Sequence, residues 1–164
     1  MTVVDLAERL DGIRVRVRAP GTEIEAELRQ RTGITLSFGE SVYEFIDELA
    51  LERALAGIAR LLWAGWQRRY RAAIEETNLN IDADDMRDWN FFTDRAKVEA
   101  AGESSDERIT ITAVGMEDFS VHIEPGTVRE ISEDQFSAGA AEAATKLIQD
   151  FQVKVDELKK RYYE

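Results

Sequence analysis

Residue types that could do catalytic chemistry are spread thinly along this chain. Cysteine is absent and histidine occurs once, at His122, so a thiolate nucleophile, a thiolate zinc site and a two-histidine metal spacing all lack material. The nearest approach to a cation loop is "NLNIDADDMRDWNFF", where Asn78, Asn80, Asp82 and Asp84 alternate like the start of a calcium loop. The pattern then fails. Ala83 stands at the glycine position and Trp89 at the final glutamate position, and Asp82 reads better as a helix cap. Acid pairs such as Asp84-Asp85 and Glu117-Asp118 are what an acidic chain supplies by composition, with no spacing that singles out carboxylate catalysis. There is no serine-nucleophile signature and no glycine-rich phosphate loop. The expectation is a non-enzyme without catalytic residues, cofactor or metal.

Binding chemistry has more to work with. Trp63, Trp66 and Tyr70 recur at helical spacing, which fits a buried helix face, with an exposed protein-interaction site as the alternative. Trp89, Phe91 and Phe92 fit anchors of a connecting helix; exposed, they would mark a partner site. Arg29, Arg31, Arg68, Arg69 and Arg71 are the candidates for contact with nucleic acid, provided that they cluster. Arg14, Arg16 and Arg18 look like a phosphate-binding stripe, but glutamates are expected opposite them on the neighbouring strand and would cancel their charge.

The charge balance weighs against a nucleic-acid partner. Over 164 residues the net charge is −12, and it is unevenly placed: residues 1–78 carry 11 Arg against 13 acids, residues 79–164 carry 10 Lys and Arg against 20. Such a surface repels phosphate backbones and favours basic protein partners or simple solvation. No apolar run approaches the ~20 residues that cross a bilayer, so no membrane association is expected. "MTVVDLAERL" carries two acids and does not read as a signal peptide, which together with the lack of cysteine fits a cytoplasmic address.

The elements that would position these residues are written twice in the sequence. "IRVRVRAPGTEIEAEL" (13–28) alternates apolar and charged residues about Ala19-Pro20-Gly21-Thr22, where Pro and Gly suit a type II turn. Folded there, Val17 faces Ile24, Val15 faces Ala26 and Ile13 faces Leu28, while Arg18, Arg16 and Arg14 face Glu23, Glu25 and Glu27. "ITITAVGMEDFSVHI" (109–123) closes through Gly115-Met116-Glu117, setting Ala113 against Phe119, Ile111 against Val121 and Ile109 against Ile123. A third strand is expected at 34–38 in the first half and at 127–131 in the second, with 100–107 as a loop. Helices are expected over 3–11, 42–76, about 83–101, and from Ser132 nearly to the C-terminus, with capping boxes at Ser41-Glu44 and Ser132-Gln135. The last helix carries the stripe Phe136, Ala140, Ala144, Leu147, Phe151, Val155, Leu158 and Tyr162. Helix 42–76 is apolar on more than one face and needs two partners.

The resulting expectation is an α+β fold of two tandem α-β-β-β-α units, 1–78 and 79–164. Each antiparallel sheet would pack under its own long amphipathic helix, and the two units would lean on one another. That order, and most closely "ITITAVGMEDFSVHIEPGTVREISEDQFSAGAAEAATKLIQDFQVKVDEL" (109–158), resembles the YbaB/EbfC family of small nucleoid-associated proteins. The resemblance implies a pseudo-dimer within one chain, since members of that family typically form homodimers and some bind DNA. Related folds in actinobacteria accompany type VII secretion loci. The functions it leaves open are a protein-interaction or scaffold module with a protein partner or a second copy, a DNA-binding protein, and a chaperone for a secreted substrate.

Overall fold

A computed structural model describes residues 3–76 and 84–164. The fold mixes helix and strand. Helix α1 (Val3–Asp11) leads into strands β1 (Arg14–Arg18), β2 (Ile24–Arg29) and β3 (Gly33–Phe38), then a short α2 (Val42–Phe45) and the long α3 (Glu48–Glu75). The same order follows in α4 (Met86–Arg95), β4 (Glu99–Glu103), β5 (Ile109–Val114), β6 (Asp118–Ile123), short α5 (Thr127–Glu130) and long α6 (Glu133–Tyr163). Each trio of strands forms its own antiparallel sheet in sequence order.

The second hairpin pairs as its alternation dictates: Ile109 with Ile123, Ile111 with Val121 and Ala113 with Phe119, around a three-residue turn that begins at Gly115. The first hairpin keeps its faces but not its expected register. Arg16 pairs with Glu27, Arg18 with Glu25 and Arg14 with Arg29, a slide of two residues. The turn itself is where the sequence puts it, with Gly21 at φ 73° and the Thr22 N–H donating to the Ala19 carbonyl at 3.1 Å. A type II turn matches strand twist poorly. The ladder therefore resumes two residues later, where the Ala19 N–H donates to Ile24 O while the Thr22 hydroxyl accepts from the Ile24 N–H. Because the slide is even, Val15, Ala26 and Leu28 still face the core.

Three further expectations are corrected. The third strand of the second sheet is β4, which precedes the hairpin, whereas Thr127–Glu130 forms a helical turn entered through Gly126 at φ 89°. The helix expected over 83–101 ends at Arg95, and part of the supposed loop 100–107 is strand. Strand β4 reads "EAAGE", with no β-branched residue, and it is held in place by packing: a Cβ on Gly102 would sit 2.0 Å from the Ala143 carbonyl oxygen of α6. Lastly, Ser41 adopts a left-handed conformation and caps nothing. The chain breaks after Phe45, which is 85% exposed, and α3 starts instead at Asp47, whose carboxylate accepts from the Ala50 N–H at 2.7 Å. The Ser132–Gln135 capping box of α6 forms in both directions, at 3.1 and 2.9 Å. The Asn78, Asn80 and Asp82 pattern lies outside the described residues; Asp85 caps α4, accepting from the Asp88 N–H at 2.9 Å.

Neither long helix is confined to its own sheet: for α3 the second sheet supplies the second partner that its wide apolar surface needs, whereas for α6 it departs from the expected packing on its own sheet alone. Helix α3 lies on β1 and β2 and also on β6; α6 lies on β4 and β5 and also on β3. Each therefore covers the first strand of one sheet and the third strand of the other. One continuous apolar core results, in which Leu28, Leu51, Ile109, Ile123 and Phe136 are almost wholly enclosed. At one end Phe38, Tyr43 and Phe136 meet ring to ring within 6.1 Å, and the Tyr43 hydroxyl donates to the Ile131 carbonyl at 3.0 Å. An apolar cavity of about 70 Å³ remains at the centre, touched by Leu28 and Leu36 from one sheet, Ile111 and Phe119 from the other, and Leu55 and Leu147 from the helices.

An aromatic cleft between the long helices

Beyond the shared core, residues from α3 and from the C-terminal half of α6 line a common space beside α4. The space between them is a cleft of about 800 Å³, within the size range of ligand sites. Its first wall is a ring stack along α3. Trp63 and Trp66 are 5.4 Å apart and 16° from parallel; Trp66 and Tyr70 are 5.1 Å apart and 18° from parallel. Residues three and four apart share a helix face, which is why these rings meet. All three are half-buried, with Trp63 and Trp66 resting on the edge of the core and Trp63 edge-on to Phe151 at 5.9 Å.

The opposite wall is α4 held against the end of α6. Phe91 is buried between Phe92, Tyr162 and Tyr163 at 5.4 to 6.2 Å. The Tyr162 hydroxyl donates to Asp94 and that of Tyr163 to Asp88, while the Arg87 guanidinium sits 5.0 Å above the Tyr163 ring. Accepting from Tyr163 and from backbone N–H groups keeps the Asp88 carboxyl below the ordinary aspartate range, and the Tyr163 phenol is pushed up to about 12 by the same bond.

Arg95 also lines the cleft. Its guanidinium is 5.6 Å above the Phe151 ring, and burial pulls its pKa below the ordinary arginine value. Among the described residues no carboxylate lies within ion-pair distance of it. The Trp63 and Trp66 indole N–H groups are shielded from solvent and find no acceptor among the described residues.

Of the residues singled out by sequence, Trp63, Trp66, Tyr70, Phe91 and Phe92 converge on this cleft. Trp89 stands outside it, 62% exposed on α4 beside Met86 at 73%. Arg95, Phe151 and Tyr163 were not singled out as site residues; Phe151 was legible only as a member of the apolar stripe of α6, and Arg95 carried no signal. The arginines named for nucleic acid separate into different settings. Arg31 and Arg71 reach the cleft, Arg31 pairing with Asp11 at 2.9 Å. Arg29 pairs with Glu27 at 3.1 Å, Arg68 is exposed on α3, and Arg69 donates to the Arg14 carbonyl in a separate groove. On the first sheet Glu25 is 2.7 Å from Arg18 and 4.0 Å from Arg16, which neutralises much of that stripe.

His122 sits between carboxylates of Glu52 at 3.8 Å and Glu124 at 3.2 Å. Among the described residues no three His, Asp or Glu side chains gather as a metal site, and no helix is long and apolar enough to cross a membrane. No protein-family model matches the chain, and no curated protein or solved structure matches it significantly.

Proposed function

We propose that this protein is a non-catalytic protein-interaction or scaffold module of the YbaB/EbfC-like type, and that it receives its partner in the aromatic cleft. The observation that carries the reading is the cleft itself. Three helices bring seven aromatic residues and a guanidinium with no carboxylate partner among the described residues to one opening, and an apolar stripe, Met86, Trp89 and Phe92, continues from its rim along α4. Aromatic residues and arginine are the side chains enriched where protein partners bind most strongly. Support for tandem units comes from the element order read twice and from the reciprocal placement of α3 and α6. On this reading one chain makes the pair that members of that family make from two. Pairing of Arg18, Arg29 and Arg31 with carboxylates weighs against the nucleic-acid alternative.

The test is site-specific photocrosslinking in the protein's own cells, with benzoylphenylalanine at position 92 in the cleft or at position 45 on α2. A recurring protein adduct from position 92, weak from position 45 and lost with Trp66→Ala, is the expected result. Equal adducts from both positions, or none, would contradict the proposal.

A further inference from the structure

Among the described residues Arg95 is left without a carboxylate partner, which is unusual in a chain this acidic. The 33 carboxylates outnumber Lys and Arg by 12, and of the basic groups that share the cleft Arg31 is paired with Asp11, while elsewhere on α6 Lys146 and Lys154 pair with Glu142 and Asp150. Arg95 faces rings instead. An indole N–H removed from water without an acceptor is costly, and a half-buried guanidinium gains from a charged acceptor more than an exposed one does. The cleft lining also holds Asp84, Asp88 and Asp156, with Asp88 taken by the Tyr163 hydroxyl, but among the described residues none of them pairs with Arg95. The Trp63 and Trp66 indole N–H groups lie shielded behind the ring stack; the ligand that would answer Arg95 is an anion.

We propose that the cleft receives the free C-terminus of a peptide ending in a bulky apolar residue, its terminal carboxylate on Arg95 and its last side chain among the rings of Phe92, Phe151 and Tyr70. The proposal rests on the interaction reading above and specifies its ligand. Arg95 lies over the Phe151 ring in a cleft that Phe92 and Tyr70 also line, so a ligand that answers both brings anion and apolar body on the same residue. A chain terminus meets that condition. An internal Asp or Glu does not, because its carboxylate occupies the place of the apolar side chain. The exposed stripe Phe92, Trp89 and Met86 gives the preceding residues a path out of the cleft along α4. Both indole N–H groups are shielded from solvent, so they gain an acceptor only when the stack parts to admit one, which makes their fluorescence a reporter of entry.

The probe is a fluorescein-labelled hexapeptide library with Phe, Leu, Ile or Trp last and Ala, Ser or Lys elsewhere, titrated against the full chain by anisotropy. Saturable binding is expected, with amidation of the C-terminus weakening it about tenfold or more, the value of one charge-assisted hydrogen bond. Arg95→Gln should weaken the free-acid library as amidation does, and Arg95→Lys should weaken it less. Trp66→Phe should remove part of the fluorescence response while retaining a ring. If Arg95→Gln fails to fold, as circular dichroism would reveal, the acid-against-amide comparison on the native chain decides alone. Equal binding of acid and amide, unchanged binding by a folded Arg95→Gln, or no binding at millimolar peptide would overturn the proposal. Phenylacetate displacing the library as effectively as unlabelled peptide would overturn the peptide assignment in favour of a small aromatic acid. Crosslinking from position 92 that persists with acid and amide binding alike would defeat this inference and leave the interaction reading standing.

Discussion

Asp150 shows how much of this fold is secured by single side chains. From α6 its carboxylate accepts the Ala101 N–H at 2.9 Å, while Lys154 donates both to it and to the Glu99 carbonyl, at 3.1 and 2.8 Å. Lys146 reaches the Glu103 carbonyl at 3.2 Å, and Glu142 takes the Ser105 N–H at 2.6 Å. Backbone groups of β4 that no strand pairs are thus answered by α6, which closes an edge that would otherwise invite pairing with another chain. The Ala101 N–H holds the Asp150 carboxyl below the ordinary aspartate range, and Ser105 does the same for Glu142. A carboxyl with a lowered folded value stabilises the native state above its unfolded pKa, and that contribution fades as pH falls through the folded value. Asp150→Asn should therefore lower the urea midpoint at pH 7 and have little effect at pH 3. An equal loss at both pH values would show that the charge is not what matters.

At the scale of elements, β4 and α6 are the tightest pair, and Gly102 is the reason. A side chain there meets the α6 backbone at Ala143 and Leu147. Gly102→Ala should cost about 3 kcal/mol, the upper range for overfilling a packed site. Gly57→Ala on α3, where the nearest atom is 3.9 Å away at the tip of Arg60, should instead stabilise by about 0.5–1 kcal/mol. Urea denaturation of both variants checks the contrast. The same close approach explains which elements were legible in the sequence. Strands β5 and β6 alternate apolar and polar residues over twelve positions, so faces and register could be read directly. Strand β4 is built from small residues chosen for contact with α6, a long-range requirement that leaves no local strand signal. The first hairpin lies between these cases: alternation fixed its faces, but the twist of its turn moved the register by two. The helix break at Ile46 and Asp47 was hidden because Ser41-Glu44 imitates a cap that the left-handed Ser41 cannot make.

Across the whole molecule, the exchange of helices between sheets is what creates both the core and the cleft. Sequence identified Trp63, Trp66, Tyr70, Phe91 and Phe92 but not their convergence, since that depends on α6 crossing to the first sheet and on Arg95 and Phe151 meeting beneath α4. The two halves should therefore unfold as one. Native-state hydrogen exchange with increasing urea measures this directly, using Ala26 and Leu28 in the first sheet and Ile109 and Ile111 in the second. Leu55→Ala, on α3 beside the central cavity, should lower stability by about 3 kcal/mol. If the core is shared, the slowest amides of both sheets will exchange through a single opening, and the substitution will reduce their protection equally. Two separate openings, with loss confined to the first sheet, would contradict a shared core and with it the cleft that depends on it.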